Sequence, residues 1–467
     1  MIPVLTPEET AGVDRSTEQA VSDLVARAGA AVAAGAVRVM GGAYARRVVV
    51  VAGPGNNGAD GRVAAGILAG RGAIVDVRDA RDLLASEQLP KADLLIDAAY
   101  GTGLRRPYQP PRSSSPVLAV DIPSGLDGLT GEVPDGGGAL AAAATVTFAS
   151  LKPGLLLGSG PELAGELTVA DIGLGAEVVR VASCWLVEDG DVARHLRPRP
   201  REAHKWQSAV QVVAGSPGMT GAPWLVSRSA MRAGAGYVRL SMPGVSPSVL
   251  PPSELVYLPV PETGWHVPLL AQMSRVKALV VGPGLGPVTG GAGSSGGLPG
   301  GEVGLLLASA DVPAVLDADG LNAMGGIDGL AAVVARRRQP TIVTPHAGEL
   351  ARLLGRPPGP DRVAVTREAA ARSGAVVLFK GSTTVVAAPD GRALLAATGS
   401  ARLATAGTGD VLSGIVGAFL ARGVEPFEAA ALAAHVHGRA ARSGFAEGLT
   451  AGDLPELVAA WLSGLRA

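Results

Sequence analysis

Residues 47–61 read RVVVVAGPGNNGADG, a β-branched run that stops at a glycine-rich turn. The run has the length and composition of a buried strand. Gly53, Gly55 and Gly58 satisfy G-x-G-x-x-G, the spacing of a turn that seats a dinucleotide pyrophosphate on a helix N-terminus. Such a turn wants an acid about 20 residues on for a ribose, and Asp76 and Asp79 stand near that distance. An ordinary glycine turn is the plain alternative. Asn56 and Asn57 fit a dinucleotide turn poorly, because they put carboxamides where small or apolar residues are usual.

Working outward, an Ala-rich helical pattern runs from about Pro7 to Gly42, ahead of the strand. A helix near Gly61–Ala69 and a strand at 73–78 follow the turn, making a strand–turn–helix–strand unit. ADLLIDAA (92–99), PVLAVDI (116–122) and ATVTFA (144–149) read as further strands. The prolines and charges of LRPRPREAHK (196–205) break all periodicity and suggest a domain boundary, with domains at 1–197 and 198–467. Beyond it a second alternating series begins at SAVQVVAG and closes on two helices, about 410–422 and 427–443. Strands alternating with helices predict an α/β chain of mostly parallel sheets with helices on both faces. Residues 286–302, GPVTGGAGSSGGLPGGE, have the composition of a flexible loop.

Bulk composition excludes several classes. Hydrophobic content of 47% supplies ample core, and 17% charge is too low for a mainly disordered chain. Forty Lys+Arg against 41 Asp+Glu leave no basic surplus for nucleic acid or a membrane surface. The single cysteine, Cys184, cannot form an intrachain disulfide or a multi-cysteine zinc site. The first twenty residues lack the pattern of a signal peptide, and the Ala-rich stretch at 139–149 is too short for a membrane span. The expectation is a cytoplasmic protein acting on small molecules; a homo-oligomer is expected only on base rate.

Two further strands end in polar clusters, IDAAYGTGLRRP (96–107) and VDIPSGLDGLTG (120–131). Parallel strand ends gather on one sheet edge, where α/β proteins bind ligands. There Asn57, Asp97 and Ser124 could offer oxygens to a hard cation, one carboxylate with neutral oxygens suiting a large monovalent ion. Asp121 could accept a proton, or be a plain capped strand-end carboxylate. The three motifs, in order over most of 1–195, resemble the NAD(P)H-hydrate epimerase family (YjeF N-terminal domain). The resemblance implies a Rossmann-like three-layer domain whose hydrate substrate meets Asn56, Asn57, Gly58, Ala59, Asp60, Gly101, Thr102, Gly103, Leu104 and Asp121, with K⁺ held by Asn57, Asp97 and Ser124. The loop then serves a damaged cofactor as substrate, and no hydride chemistry is implied. Ala59 stands where the family usually has glycine. The segments between Arg78 and Asp93 and between Arg106 and Val117 are short, with a helix expected to be missing from each and epimerase competence left open.

LATAGTGDVLSGIVGAFLARG (403–423) carries the strongest functional signal. Gly407 and Gly409 free the backbone before a helix expected to start at Asp410, whose N-terminus offers unpaired N–H groups to phosphate. Asp410 beside that anion hole can take a proton from an attacking hydroxyl, or be a simple helix cap. The stretch resembles the ribokinase-like fold. With HKWQSAVQVVAGSPGMTGA, VVGPGLG, VLDADGLNA, TPHAGEL and FKGSTT it resembles the ADP/ATP-dependent NAD(P)H-hydrate dehydratase family over about 200–460. The resemblance implies a ribokinase-like three-layer domain with Ala222, Gly286, His346 and Asp410 around the hydrate. It places the adenine nucleotide on Lys380, Gly381, Ser382, Thr383 and Thr384 and on Gly407, Thr408 and Gly409. It also implies phosphorylation of the hydrate's C6 hydroxyl by ADP or ATP with Mg²⁺, then elimination, while the first domain interconverts the R- and S-hydrates. Two plainer readings of single residues stay open, His346 as a structural strand-end histidine and Lys205 as a solvated lysine. The rival for the whole chain is a ribokinase-like small-molecule kinase with a non-catalytic N-terminal nucleotide-binding domain.

Overall fold

The computed structural model describes all residues except 105, 250–252, 287–297 and 466–467, so most of the glycine-rich 286–302 stretch lies outside the described residues. The chain divides into two compact units, Ile2–Trp185 and Leu186–Ala467, the latter also claiming Met1. The helix Asp189–His195, assigned to the first domain by the 197/198 boundary, is part of the second unit.

In the first unit six strands lie in the order Ile74–Asp79, Arg47–Ala52, Leu94–Ala98, Val117–Val120, Ala144–Phe148 and Glu166–Ala170. Every pairing is parallel, with Ala52 level with Ala98 and Asp97 level with Ala119. One sheet face packs under the helices Val21–Met40 and Asn56–Gly70 through Val32, Ala36, Ala64 and Leu68. The single amino-terminal helix expected over 7–42 is two, Pro7–Ser16 and Val21–Met40. Between them the Thr17 hydroxyl accepts the Gln19 N–H, a side-chain turn that competes with the helical ladder.

On the other face no helix spans 80–93 or the described residues of 106–116. Val49, Val51, Leu95, Val117 and Ala119 are buried there by irregular chain carrying Leu83, Leu89, Tyr100, Tyr108 and Leu140. Proline at 107, 110, 111 and 116 accounts for the second of these segments, since each proline lacks an N–H and restrains its predecessor.

The second unit carries strands in the order Ala393–Ala396, Thr384–Ala387, Val376–Phe379, Thr341–Val343, Ala314–Leu316, Ala278–Val281, Ala209–Val213, Tyr237–Ser241 and Val256–Tyr257. From Val376–Phe379 onward the pairings are parallel, and Thr384–Ala387 and Ala393–Ala396 add an antiparallel margin. The chain ends on three helices rather than the expected two: Thr408–Ala421, Pro426–Ser443 and Leu454–Gly464. The last is announced by Pro455 in its first turn, a start signal the sequence reading did not use.

Helix Thr408–Ala421 is buried almost all round, which glycine makes possible. A Cβ on Gly414 would run into the Ser229 hydroxyl and the Val226 carbonyl of helix Gly221–Arg232, so backbone and neighbour are in direct contact there. Because the obstruction is backbone, Gly414→Ala should destabilise this unit by about 1–3 kcal/mol through overpacking, read as a lowered Tm with Gly66→Ala, where a Cβ meets nothing, as control.

Candidate active sites

The carboxyl edge of each parallel sheet collects its polar strand ends. In the first unit helix Asn56–Gly70 begins earlier than expected, capped by Gly55, so Asn56 and Asn57 form its first turn. Gly53 and Gly58 are sterically required: a Cβ on either would strike the carbonyl of Ala99 or of Gly53. Ala59 fits within the first turn, its N–H bonded to the Gly55 carbonyl at 3.1 Å.

Asn56, Asn57, Asp60, Gly101, Thr102, Gly103, Leu104 and Asp121 line one cavity of about 770 Å³, joined by Asp14 and Lys152. Of the expected contact residues, Gly58 and Ala59 are not on its wall; they shape the turn instead. Lys152 is the residue the sequence reading missed. Its ammonium, 1% exposed, donates to Asp121 Oδ1 at 2.5 Å and to Thr147 Oγ1 at 2.8 Å. Thr147 Oγ1 also donates to Asp121 at 3.1 Å. The signal was available, since a lysine three residues after the strand reading ATVTFA sits on the same edge as Asp121. Asp121 adopts φ +67°, left-handed backbone that a non-glycine residue holds only when its surroundings compel it. Burial, then the charges of Asp121 and Asp14, push the Asp60 carboxyl up to about 7. Burial likewise raises Asp14, against the pull of Lys152.

Below this floor Ser124 Oγ donates to Asp97 Oδ1 at 2.6 Å, and Ser124 N donates to Oδ2 at 2.9 Å. Asn57, in the first turn of the helix, lies beside Gly101, its carboxamide carbon 3.5 Å from where a Gly101 Cβ would stand. Both polar atoms of the Asn57 carboxamide are buried with no hydrogen-bond partner among the described residues. A buried, orphaned amide oxygen beside a carboxylate and a hydroxyl is a donor set suited to a large monovalent cation.

In the second unit the strand ends supply Ala222 from the first turn of helix Gly221–Arg232, the turn Gly282–Gly286, Asp317, Asp319, His346 and Lys380. Gly286 N donates to Asp319 at 2.9 Å, and a Cβ on Gly284 would sit 3.2 Å from Ala222, so these approach one another closely. Gly407, at φ +90°, caps helix Thr408–Ala421, which starts two residues before the expected Asp410. Asp410 is therefore not the cap but a first-turn residue, and the simple capping role is excluded. The Thr408 hydroxyl is spent on the carbonyls of Leu403 (2.9 Å) and Thr405 (3.1 Å).

Lys380 turns inward from KGSTT, the turn of an antiparallel hairpin. Its ammonium donates to Asp317 at 2.8 Å, lies 3.7 Å from Glu349, and is 3.5 Å from where a Gly409 Cβ would be. Ser413 Oγ donates to the other Asp317 oxygen at 2.7 Å. Burial disfavours the Asp317 charge, but Lys380 and these hydrogen bonds outweigh it and hold the carboxyl below its ordinary range. Ala318, between the two aspartates, has φ +49°, another strained non-glycine residue at a strand end, as are Asp121 and Ala149. His346 caps helix Ala347–Leu354, its Nδ1 accepting from Gly348 N (3.0 Å) and Glu349 N (3.3 Å). The structural role is thus real; the ring is more than half exposed, with Nε2 3.6 Å from Glu349 Oε2. Asp317, Asp319, Glu349 and Ser413 were absent from the predicted site although VLDADGLNA and TPHAGEL contain three of them.

Burial is the main reason Asp410 is pushed up to about 7; Asp317, Asp319 and Glu349 add to it, and Lys380 opposes them. A carboxyl raised in the fold contributes stability below its unfolded value near 4 and loses it as pH climbs to about 7. Asp410→Asn should therefore leave Tm unchanged near pH 4 and raise it progressively up to pH 7–8. A Tm difference independent of pH would show that the carboxyl is not held up in the folded state.

The family described as NAD(P)H-hydrate dehydratase matches residues 210–462, and that described as YjeF-related protein N-terminus matches 21–88 and 78–154. The bifunctional NAD(P)H-hydrate repair enzyme Nnr of Mycobacterium tuberculosis is 38% identical over 424 residues, 84% of this chain and 82% of that one. Its counterpart in Moorella thermoacetica is 35% identical over 473 residues, 88% and 86% of the two chains. Among solved structures, the ADP/ATP-dependent NAD(P)H-hydrate dehydratase of Bacillus subtilis, co-crystallised with ATP/Mg²⁺, matches at TM-score 0.50 and 27% identity, covering 60% of this chain and 97% of that one. A ribokinase-like superfamily protein of Enterococcus faecalis, at 18% identity and TM-score 0.50 over 61% of this chain and 96% of its own, shares the fold.

Proposed function

The chain belongs to the family of bifunctional NAD(P)H-hydrate repair enzymes, and we propose that Asp410 and the Asp121–Lys152 pair are the chemical centres of its two activities. The carboxy-terminal unit is an ADP/ATP-dependent NAD(P)H-hydrate dehydratase and the amino-terminal unit the epimerase. The observation that carries the dehydratase centre is Asp410 in the first turn of a glycine-capped, buried helix, beside an internal lysine.

In the dehydratase, the hydrate presents its C6 hydroxyl to Asp410. The carboxylate takes the hydroxyl proton as the oxygen attacks the terminal phosphorus of the nucleotide, releasing the shortened nucleotide, AMP when ADP is the donor. First-turn N–H groups of helix Thr408–Ala421 face the charge that develops on the transferred phosphoryl. Loss of phosphate from C6 with a proton from the ring then restores the dihydronicotinamide. His346 and the turn Gly284–Gly286 beside Ala222 hold the hydrate; the hairpin turn Lys380–Thr384 and the Gly407–Gly409 turn hold the nucleotide. Mg²⁺ suits this site as an ion carried on nucleotide phosphates with help from one or two carboxylates, for which Asp319 and Glu349 stand beside Asp410. When bound it supplies neutralisation of donor charge. A pKa near 7 leaves Asp410 a competent base at neutral pH.

In the epimerase, Asp121 and Lys152 form the polar floor of the cavity and meet the hydrate's ring end. The Asn57, Asp97 and Ser124 oxygens fit K⁺, which would supply a fixed positive charge next to that floor. Eight of the ten expected contact residues line the cavity although no helix spans 80–93 on the opposite sheet face, which favours a working site.

Asp410→Asn should cut ADP-dependent recovery of NADH absorbance from the S-hydrate by at least about 10²-fold while ADP binding persists. Lys380→Arg should retain turnover, whereas Lys380→Met should move the acidic limb of kcat/KM to higher pH by removing the charge that opposes protonation of Asp410. An unmoved limb would remove Asp410 as the titrating base. Asp121→Ala and Lys152→Met should each reduce hydrate epimerisation to its spontaneous rate without changing S-hydrate turnover. Replacing K⁺ by Li⁺ should lower the Tm of the wild type but not of Asn57→Ala; equal shifts in both would place the ion elsewhere.

A further inference from the structure

A second cavity, of about 820 Å³, opens on the amino edge of the carboxy-terminal sheet, opposite the Asp410 site. Ser208 and Gly236, which line it, immediately precede the strands Ala209–Val213 and Tyr237–Ser241. Arg422 and Gly423, also on its wall, follow the last residue of helix Thr408–Ala421. That helix has 14 residues, so the cavity stands about 20 Å from Asp410 along its axis.

The lining is unlike the rest of the chain. Five of the seventeen described lining residues are Lys or Arg and one, Glu425, is acidic, whereas the whole chain holds 40 basic against 41 acidic residues. Arg194 is answered by Asp191 at 3.1 Å. The guanidinium groups of Arg199 and Arg422 are oriented by backbone carbonyls, Arg199 by Gly234 at 2.6 Å and Arg422 by Arg197 at 2.7 Å. Lys205 is steadied over the rings of Trp206 and Tyr237, 5.5 and 5.4 Å from their centroids. A concave wall of oriented cations raises the local concentration of anions and favours planar, multidentate phosphate recognition by arginine. The volume lies within the range of small-molecule sites and above what one inorganic phosphate needs.

We propose that this amino-edge cavity binds a phosphate-bearing small molecule of nucleotide size, at a site separate from both catalytic centres. Diphosphate is the shared chemistry of the candidates, whether as a nucleotide or as an inorganic polyanion. Its basic wall comes largely from 196–205, the proline-rich segment that sequence analysis treats only as a boundary.

The test is calorimetric titration of the full chain with inorganic pyrophosphate at low salt. The comparison is between wild type, Asp410→Asn and the charge-reversed pair Arg197→Glu/Lys205→Glu. The Arg197 carbonyl that holds Arg422 survives this change. Expected is one binding equivalent present in wild type and Asp410→Asn and weakened at least tenfold in the reversed pair, with wild-type helicity by circular dichroism. Should the reversed pair misfold, Arg197→Ser/Lys205→Ser carries the same comparison. Displacement of that equivalent by ADP or NADPH, but not by adenosine, assigns the site to nucleotides; displacement by tripolyphosphate alone assigns it to inorganic polyanions. No pyrophosphate binding in wild type, or identical binding in wild type and the charge variants, would overturn the proposal.

Discussion

A lysine ammonium held inside the protein against a strand-end aspartate organises each of the two catalytic edges. Lys152 meets Asp121 in the first unit and Lys380 meets Asp317 in the second, each lysine largely withdrawn from water. An isolated buried charge would be too costly to keep, so each pair must bring its own hydrogen-bond partners. Thr147 does this for the first pair and Ser413 for the second, where Glu349 adds a second negative charge 3.7 Å from the ammonium. What the pairs provide is position. Each fixes a carboxylate at the mouth of a parallel sheet and sets the field felt by the neighbouring acids, Asp60 in one unit and Asp410 in the other. Strain accompanies both: Asp121 and Ala318, the residue after Asp317, are left-handed without being glycine.

The parallel sheets explain why so much was legible beforehand. Uninterrupted β-branched runs such as RVVVVA can only be buried strands, and parallel strands must deliver their ends to one edge. Asp97 and Ser124 meet there, and Asn57 and Asp121 line one cavity at the same edge, whereas the order of the strands in the sheet was not legible in the pattern. The glycine motifs were legible for a different reason. Gly53 and Gly58 tolerate no Cβ, and Gly407 needs a positive φ, so the sequence had no other residue to offer.

What escaped the sequence reading was side-chain direction. KGSTT has the composition of a phosphate turn, and nothing in it tells whether the lysine faces the nucleotide or the interior. That is decided by Asp317, 63 residues earlier in the chain. Lys152 escaped for the mirror reason, since a lysine after a strand is ordinarily solvated and only the aspartate at the end of the adjacent strand makes it a site residue. Short elements were also invisible. The strand Ala393–Ala396 is four residues of ALLA, as fitting for a helix as for the margin of a sheet, and only its hairpin register with Thr384–Ala387 decides.

The two faces of the first sheet bear on whether a trimmed domain can still work. Helices on a sheet face contribute burial, and here extended, proline-bearing chain buries Val49, Val51, Leu95 and Val117 in their place. Such chain lacks the internal hydrogen bonds of a helix and holds the strands less firmly, which is a cost in stability. The catalytic edge draws on other elements: the strand ends, the helix Asn56–Gly70 on the covered face, and the Lys152 turn. All of these remain in place, and the ladder between Arg47–Ala52, Leu94–Ala98 and Val117–Val120 keeps its register. Loss of face helices and loss of chemistry are therefore separable. Leu89→Ala, on the face covered by irregular chain, should lower the Tm of this unit before it slows epimerisation.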